Sequence, residues 1–78
     1  MVWSLYWSPV RLTGRQQEVV AQVAAGLTNR QIGRVLGISE KTVEIHVHNV
    51  MAKLEVPSRA GVAAWAAARG FEQVSGSP

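Results

Sequence analysis

The clearest pattern in the chain begins after Ser39, where apolar residues recur at helical spacing. The stripe advances by steps of four, three and four residues, as one face of an α-helix does: Val43, Val47, Val50 and Leu54. Ser39 is a preferred helix N-cap, and Gly37 readily leaves a helix through a left-handed conformation. The pattern predicts a helix over about 40–54, preceded by a short turn.

A shorter helix is predicted just before that turn, over about 29–36. Thr28 and Gln31 have the Thr-x-x-Gln spacing of a capping box. Its inward-facing residues are predicted to be Ile32, Val35 and Leu36. Gly33 lies in the middle, where glycine costs about 1 kcal/mol relative to alanine. We therefore expect another backbone to approach Gly33 closely.

Two further helices flank this pair. Thr13 and Gln16 repeat the capping-box spacing, and Gly26 is a natural exit for the helix that they begin. The apolar face of that first helix is predicted to contain Val19, Val20, Val23 and Leu27. Val56-Pro57 ends the third helix because a residue before proline avoids helical angles, and Ser58 then caps a fourth helix that Gly70 closes.

The chain therefore has a predicted all-α fold of four helices. The helix, short turn and longer helix in its centre have the layout of a helix-turn-helix unit that reads DNA. We divide the sequence into an N-terminal arm (1–11), the helical domain (12–70) and a flexible polar tail (71–78). The arm contains Trp3, Tyr6 and Trp7. It either covers apolar surface or binds a specific partner.

Composition narrows the class of protein. Seventy-eight residues form one domain, and the absence of cysteine excludes disulfides and thiolate metal sites. The net charge of +3 is compatible with a polyanionic partner. No apolar run approaches the roughly 18 residues that span a bilayer, and no signal peptide is recognisable, so we expect a cytoplasmic protein that does not enter a membrane. No Gly-rich phosphate loop, catalytic triad or paired carboxylates occur, so we expect neither an enzyme nor a cofactor.

The outward face of the third helix carries the candidate chemistry. Opposite Val43 on a helical wheel lie Lys41, Ile45, His48, Asn49 and Ala52, with Glu44 on one shoulder. An isoleucine pointing away from the core suits the methyl group of thymine, and Glu44 can accept from a cytosine amino group. His48 and Asn49 can donate to or accept from base edges. A plain solvated face with one stray isoleucine is the alternative at this point.

A different interpretation of the same residues is a metal-binding strand. Val43, Ile45 and Val47 alternate with Glu44, His46 and His48, as in a half-buried strand. On a helix, however, the two histidines lack the i, i+4 spacing that converges on zinc. The cap at Ser39 and the continuation of the apolar stripe to Leu54 favour the helix, without a metal site.

Several motifs in this order resemble the LuxR-type (GerE-like) helix-turn-helix domain of bacterial transcription regulators. The resemblance covers roughly residues 12–70. LTGRQQEVV is similar to the opening motif of the family, GLTNRQIGRVLGIS to its second helix and turn, and KTVEIHVHNVMAKLEV to its recognition helix. Arg59 stands where the family usually has an arginine at the start of the fourth helix.

The resemblance implies a third helix in the major groove of double-stranded DNA, and a homodimer formed through the fourth helix on two half-sites. It implies base contacts by Glu44, Ile45 and His48, to which the wheel adds Asn49. It implies phosphate contacts by Thr28, Asn29, Arg30, Thr42 and Lys53, and we include Lys41. The predicted dimer face contains Val62, Ala63 and Ala66.

Two positions depart from the family pattern. Glu44 stands where the family often has lysine, and His48 stands at a position that is often basic. Glu44 should alter base preference and weaken the general attraction to phosphates. The two changes together predict modest affinity, with specificity that depends on dimerisation or a partner. Nothing before Thr13 could form the phosphate-receiving or sensing domain that many members carry, so we expect either a stand-alone regulator or a part of a longer one.

Two other functions remain open from sequence alone. A helix-turn-helix protein-interaction module could contact RNA polymerase or another regulator through Trp65 and the aromatic arm. A sigma-factor region-4-like piece shares the style of turn in QIGRVLGISEKTV, but the residues from Lys53 to Val56 match the LuxR type better.

Overall fold

The computed structural model describes residues 11–69, which form four helices and their connections. They are α1 (Gly14–Ala24), α2 (Asn29–Leu36), α3 (Glu40–Leu54) and α4 (Arg59–Ala68). These residues contain no strand, so the all-α prediction is confirmed and the metal-binding strand is wrong. The predictions for the aromatic arm before Arg11, for Gly70 and for the tail lie outside the described residues.

The helices begin where the capping pattern predicted. Both halves of each capping box form: Thr13 Oγ1 accepts from the Gln16 N–H at 3.1 Å, and Gln16 Oε1 accepts from the Thr13 N–H at 3.0 Å. Thr28 and Gln31 repeat this at 3.1 and 2.9 Å. The remaining N-caps are Ser39 for α3 and Ser58 for α4. Each cap satisfies a helix N–H that has no partner within its own helix, a contribution of about 1 kcal/mol.

Branched aliphatic side chains fill the core. Its buried members come from all four helices: Val19, Val20, Val23, Ala24, Ile32, Val43, Val47, Val50, Val62 and Ala66. Helix α1 packs against the other three helices, and α3 also packs against α2 and α4. The predicted stripe of α3 is therefore its buried face, which leaves the opposite face open.

Gly33 is the point where α2 meets the beginning of α3. A Cβ atom built at Gly33 would lie 2.6 Å from the Ile38 carbonyl oxygen and 3.4 Å from the Glu40 nitrogen. Gly37 has a φ of +72°, which turns the chain back over α2. The predicted close approach is confirmed, and the backbone that approaches Gly33 belongs to the turn and to the first residue of α3.

The inward orientation predicted for Val35 is wrong. Ile32 is fully buried, whereas Val35 is 59% exposed. Because α3 approaches α2 at Gly33, the buried face of α2 contains Ile32, Gly33 and Leu36, which are neighbours on the helical wheel. Val35 lies about 100° from the centre of that face and points to solvent.

Gly33→Ala is expected to destabilise the domain by about 1–3 kcal/mol, because the added methyl meets backbone atoms that cannot move aside independently. Urea unfolding followed by circular dichroism would measure the change. Gly14→Ala is the matched control, since a Cβ at Gly14 meets nothing within 4 Å. It should leave stability unchanged or raise it by up to about 1 kcal/mol. Equal stability of the two variants would contradict the close approach.

Candidate nucleic-acid interface

The open face of α3 brings together all four residues predicted to contact bases. Ile45 is 51% exposed, and Glu44, His48 and Asn49 are exposed beside it. Lys41, Glu44, Ile45 and His48 line one shallow, open groove. Side chains at positions i, i+3, i+4 and i+7 lie along one face of a helix, so this groove follows directly from the spacing. The arrangement presents an apolar group between groups that can hydrogen-bond.

Lys41 and Glu44 form an ion pair on this face. Lys41 Nζ lies 3.8 Å from Glu44 Oε1, and both side chains are at least half exposed. An exposed pair of this kind contributes little to stability, between about 0 and 1 kcal/mol. Its consequence is electrostatic, because the ammonium group partly offsets the repulsion between Glu44 and an approaching phosphate.

The N-terminal turn of α2 places three predicted phosphate contacts side by side. Thr28 is the N-cap, with its hydroxyl accepting from the Gln31 N–H, and Arg30 is exposed. Asn29 is half-buried, and its Oδ1 accepts a hydrogen bond from Arg59 Nη1 at 2.5 Å. These side chains lie at the positive end of the helix dipole, where anions are favoured.

Thr42 lies in the first turn of α3, half-buried beside the cap. Its Oγ1 is 2.8 Å from Ser39 Oγ, and its N–H donates to the same Ser39 oxygen at 3.0 Å. The contact with Ser39 fixes the hydroxyl next to the start of the open face. Phosphate contact by Thr42 stays a prediction.

Lys53 has a role inside the domain that the sequence did not reveal. Its Nζ donates to the Arg11 carbonyl oxygen at 2.8 Å and to Gln16 Oε1 at 2.9 Å. Gln16 is the only buried polar residue of the described chain, and its oxygen also accepts from the Thr13 N–H. Lys53 therefore ties the end of α3 to the beginning of α1 with two of its three N–H groups. Its phosphate contact stays a prediction, with one N–H left to make it.

Two of the three residues predicted for the dimer face on α4 are buried in the core. Val62 and Ala66 are 1% and 0% exposed and belong to the core, so neither has surface to offer a second subunit. Ala63 is half-buried and packs against that core. The exposed face of α4 consists instead of Ala60, Ala64, Ala67 and Ala68. An alanine-rich helix looks apolar all round, so periodicity could not distinguish its two faces.

Trp65, the aromatic residue of the alternative protein-interaction function, is not a protruding side chain. It is half-buried and packs against the core, and the Arg69 guanidinium lies 4.4 Å from the centre of its ring. The other aromatic residues of that hypothesis, in the arm, lie outside the described residues.

Arg59 is the connecting residue that the sequence-based site omitted. Besides Asn29 Oδ1, its guanidinium donates to the Leu27 carbonyl oxygen through Nη2 at 2.5 Å. A signal was present in the sequence, because Arg59 is the first residue of a helix, where the dipole disfavours a cation. A basic residue there suggests a compensating partner outside its own helix.

The described residues show neither a metal-ion cluster nor a membrane-spanning helix. Within residues 11–69, no group of three or more His, Cys, Asp or Glu side chains could hold a metal ion. No helix in the same range is long and apolar enough to cross a membrane.

Comparison with known proteins decides the family. The sequence profile described as "Bacterial regulatory proteins, luxR family" matches residues 10–66, which is most of the chain. The chain belongs to the luxR family of bacterial regulatory proteins. The resemblance seen in its motifs is thereby confirmed, and the matched range contains the candidate interface on α2 and α3.

Curated relatives share this region at substantial identity. The chain is 46% identical over 56 residues to "Uncharacterized transcriptional regulatory protein YhcZ" of Bacillus subtilis (strain 168), covering 72% of the chain and 26% of that protein. It is 50% identical over 48 residues to "Nitrate/nitrite response regulator protein NarP" of Escherichia coli (strain K12), covering 62% and 22%. It is 38% identical over 55 residues to NarL of the same organism, covering 70% and 26%. The chain thus spans about a quarter of the length of these luxR-family relatives.

Lys53→Met is expected to destabilise the domain in the absence of any nucleic acid. Hydrogen bonds from a charged donor contribute about 1.5–3 kcal/mol, and partial solvation of this amine should reduce the loss to about 1–2 kcal/mol. Lys41→Met is the matched control, since its amine reaches only Glu44, and its effect should stay within about 0.5 kcal/mol. Urea unfolding measures both. If Lys53→Met has the same free energy of unfolding as the wild type, the two hydrogen bonds do not stabilise the domain.

Proposed function

We propose that the chain is the DNA-binding part of a bacterial transcription regulator, with α3 lying in the major groove. The observation that carries the proposal is the two-sided character of α3: a fully packed face of valines and an opposite face that exposes Ile45 among polar side chains. The luxR-family match and relatives named as transcriptional and response regulators support the same function.

The open face of α3 suits the chemistry of the major groove. That groove is about 12 Å wide and admits one α-helix. Ile45 can contact a thymine methyl, Glu44 can accept from the amino group of cytosine, and Asn49 can pair with adenine. His48 supplies a further hydrogen-bonding group at i+3 from Ile45. Because Lys41 partly offsets the charge of Glu44, the carboxylate on this face repels the phosphates less.

Phosphate contacts would fix the orientation of α3 in the groove. Arg30 and Asn29 lie at the start of α2, while Lys41 and Thr42 lie at the start of α3. The starts of both helices, with their positive dipole ends, would face the phosphate backbone. Each phosphate neutralised releases counterions, so affinity should fall steeply as salt rises.

A homodimer on two half-sites is part of the proposal. The exposed face of α4, formed by Ala60, Ala64, Ala67 and Ala68, replaces the buried residues first expected at the subunit contact. Small side chains allow two helices to approach closely. A two-fold arrangement would place two α3 helices in successive major grooves, about 34 Å apart.

The second function, a protein-interaction module for RNA polymerase or another regulator, gains no support from the described residues. Trp65 is half-buried and its ring is covered by Arg69.

Selection from a random duplex pool, followed by fluorescence anisotropy at two salt concentrations, tests the proposal. We expect a short two-fold-related motif, with affinity that weakens by about 0.9 log units per log unit of salt for each phosphate contact. Ile45→Ala should weaken binding to the selected motif by about tenfold, which is similar to the cost of one mismatched base pair in a specific site. It should leave binding to random duplex almost unchanged.

Val35→Ala is the matched control for Ile45→Ala. Val35 and Ile45 are the large apolar side chains exposed in the described chain, and they lie on different helices. Only Ile45→Ala should reduce motif preference. If a folded wild-type protein binds no duplex even at low salt, the DNA function fails, and a protein partner becomes the better hypothesis.

A further inference from the structure

The contact between Arg59 and Asn29 joins two helices whose backbones do not pack directly against each other. In residues 11–69, no Cα atom of α2 lies within 8 Å of one in α4. The Arg59 side chain spans this gap and donates to Asn29 Oδ1 and to the Leu27 carbonyl oxygen. Arg59 is half-buried, so these hydrogen bonds are shielded from water on part of their surface.

This contact determines which way the Asn29 amide points. A guanidinium group only donates hydrogen bonds, so the atom of Asn29 that faces it must be the oxygen and not the nitrogen. The assignment of Oδ1 and Nδ2, normally ambiguous for an asparagine, is therefore fixed by chemistry. The two N–H donors of Nδ2 lie on the other side of the amide.

The Nδ2 group is available to a partner from outside. The structure records no acceptor for it within residues 11–69, and no buried side-chain nitrogen or oxygen there lacks a hydrogen-bond partner. The Nδ2 atom is consequently at least partly exposed to solvent. It lies at the first position of α2, where the backbone N–H groups also point out of the helix end.

We infer that Arg59 is a positioning residue for DNA binding: it turns the Asn29 amide so that its N–H donors, rather than its oxygen, face a phosphate. The inference rests on the proposed function, because the ligand is a DNA phosphate. A phosphate only accepts hydrogen bonds, so an amide in the opposite orientation would present its oxygen and repel it. Without Arg59, Asn29 could adopt both orientations in water. The guanidinium itself stays engaged with the protein.

Asn29→Asp is the direct test. The aspartate keeps an oxygen for Arg59 and forms an ion pair with it, so the domain should remain as stable as the wild type or become more so. The outward atom, however, changes from a donor to an acceptor. Binding of the duplex selected for the wild type should weaken by at least about tenfold more than in the charge-matched control, the range of one hydrogen bond to a charged group.

Gln31→Glu supplies that control. Gln31 is exposed, lies two residues further along the same turn, and accepts from the Thr28 N–H through an oxygen that glutamate retains. Both variants add one negative charge at the same helix end. Equal affinity of Asn29→Asp and Gln31→Glu for the duplex would overturn the inference while leaving the DNA function intact. Failure of the wild type to bind any duplex would overturn both.

A double-mutant cycle separates positioning from direct contact. Arg59→Met should weaken DNA binding in the wild type, Arg59→Lys should weaken it less, and neither should add to the loss in an Asn29→Ala background. Urea unfolding of each variant identifies the conditions under which all are folded. If Arg59→Met still weakens binding in the Asn29→Ala background and lowers the salt slope by about 0.9, Arg59 contacts phosphate itself. The positioning role would then be wrong.

Discussion

The approach of α2 to the start of α3 at Gly33 is the constraint on which the candidate interface depends. Only a hydrogen atom fits between Gly33 and the Ile38 carbonyl oxygen. This contact fixes where α3 begins relative to the first turn of α2, which carries Asn29 and Arg30. The left-handed conformation of Gly37 then sets the angle at which α3 leaves the turn. The relation between the phosphate-facing turn and the open face of α3 is therefore set by backbone contact, which side-chain motion cannot relax.

Two cationic side chains extend this fixed geometry to the rest of the domain. Arg59 ties α4 to the start of α2, and Lys53 ties the end of α3 to the start of α1. Both donate to polar atoms that lie outside the apolar core cluster. Basic residues in a DNA-binding domain are readily assigned to phosphates, but these two also donate hydrogen bonds to other parts of the domain. Arg30 and Lys41, both exposed, lie in the first turns of α2 and α3.

The sequence predicted those parts of the fold that are determined locally. Capping by Thr13, Thr28, Ser39 and Ser58 depends on residues three positions apart, so helix starts could be predicted from the chain alone. The open face of α3 could be predicted because the apolar stripe from Val43 to Leu54 is long enough to define a single buried face. The structure exposes Val35 and buries Val62, contrary to expectation, because the orientation of a short or alanine-rich helix is determined by the helices packed against it. Lys53 and Arg59 bind residues 37 and 30 positions away, and no local pattern identifies those partners.

A nitrogen–proton correlation spectrum of the labelled protein, titrated with its selected duplex, tests most directly whether α3 reads DNA. The largest shifts are expected at the amides of the open face of α3, from Lys41 to Asn49, and at Asn29 and Arg30. Amides of the core residues Val20 and Val23 should change little. Shifts confined to the exposed face of α4, with α3 unchanged, would contradict the claim that α3 is the helix that reads DNA.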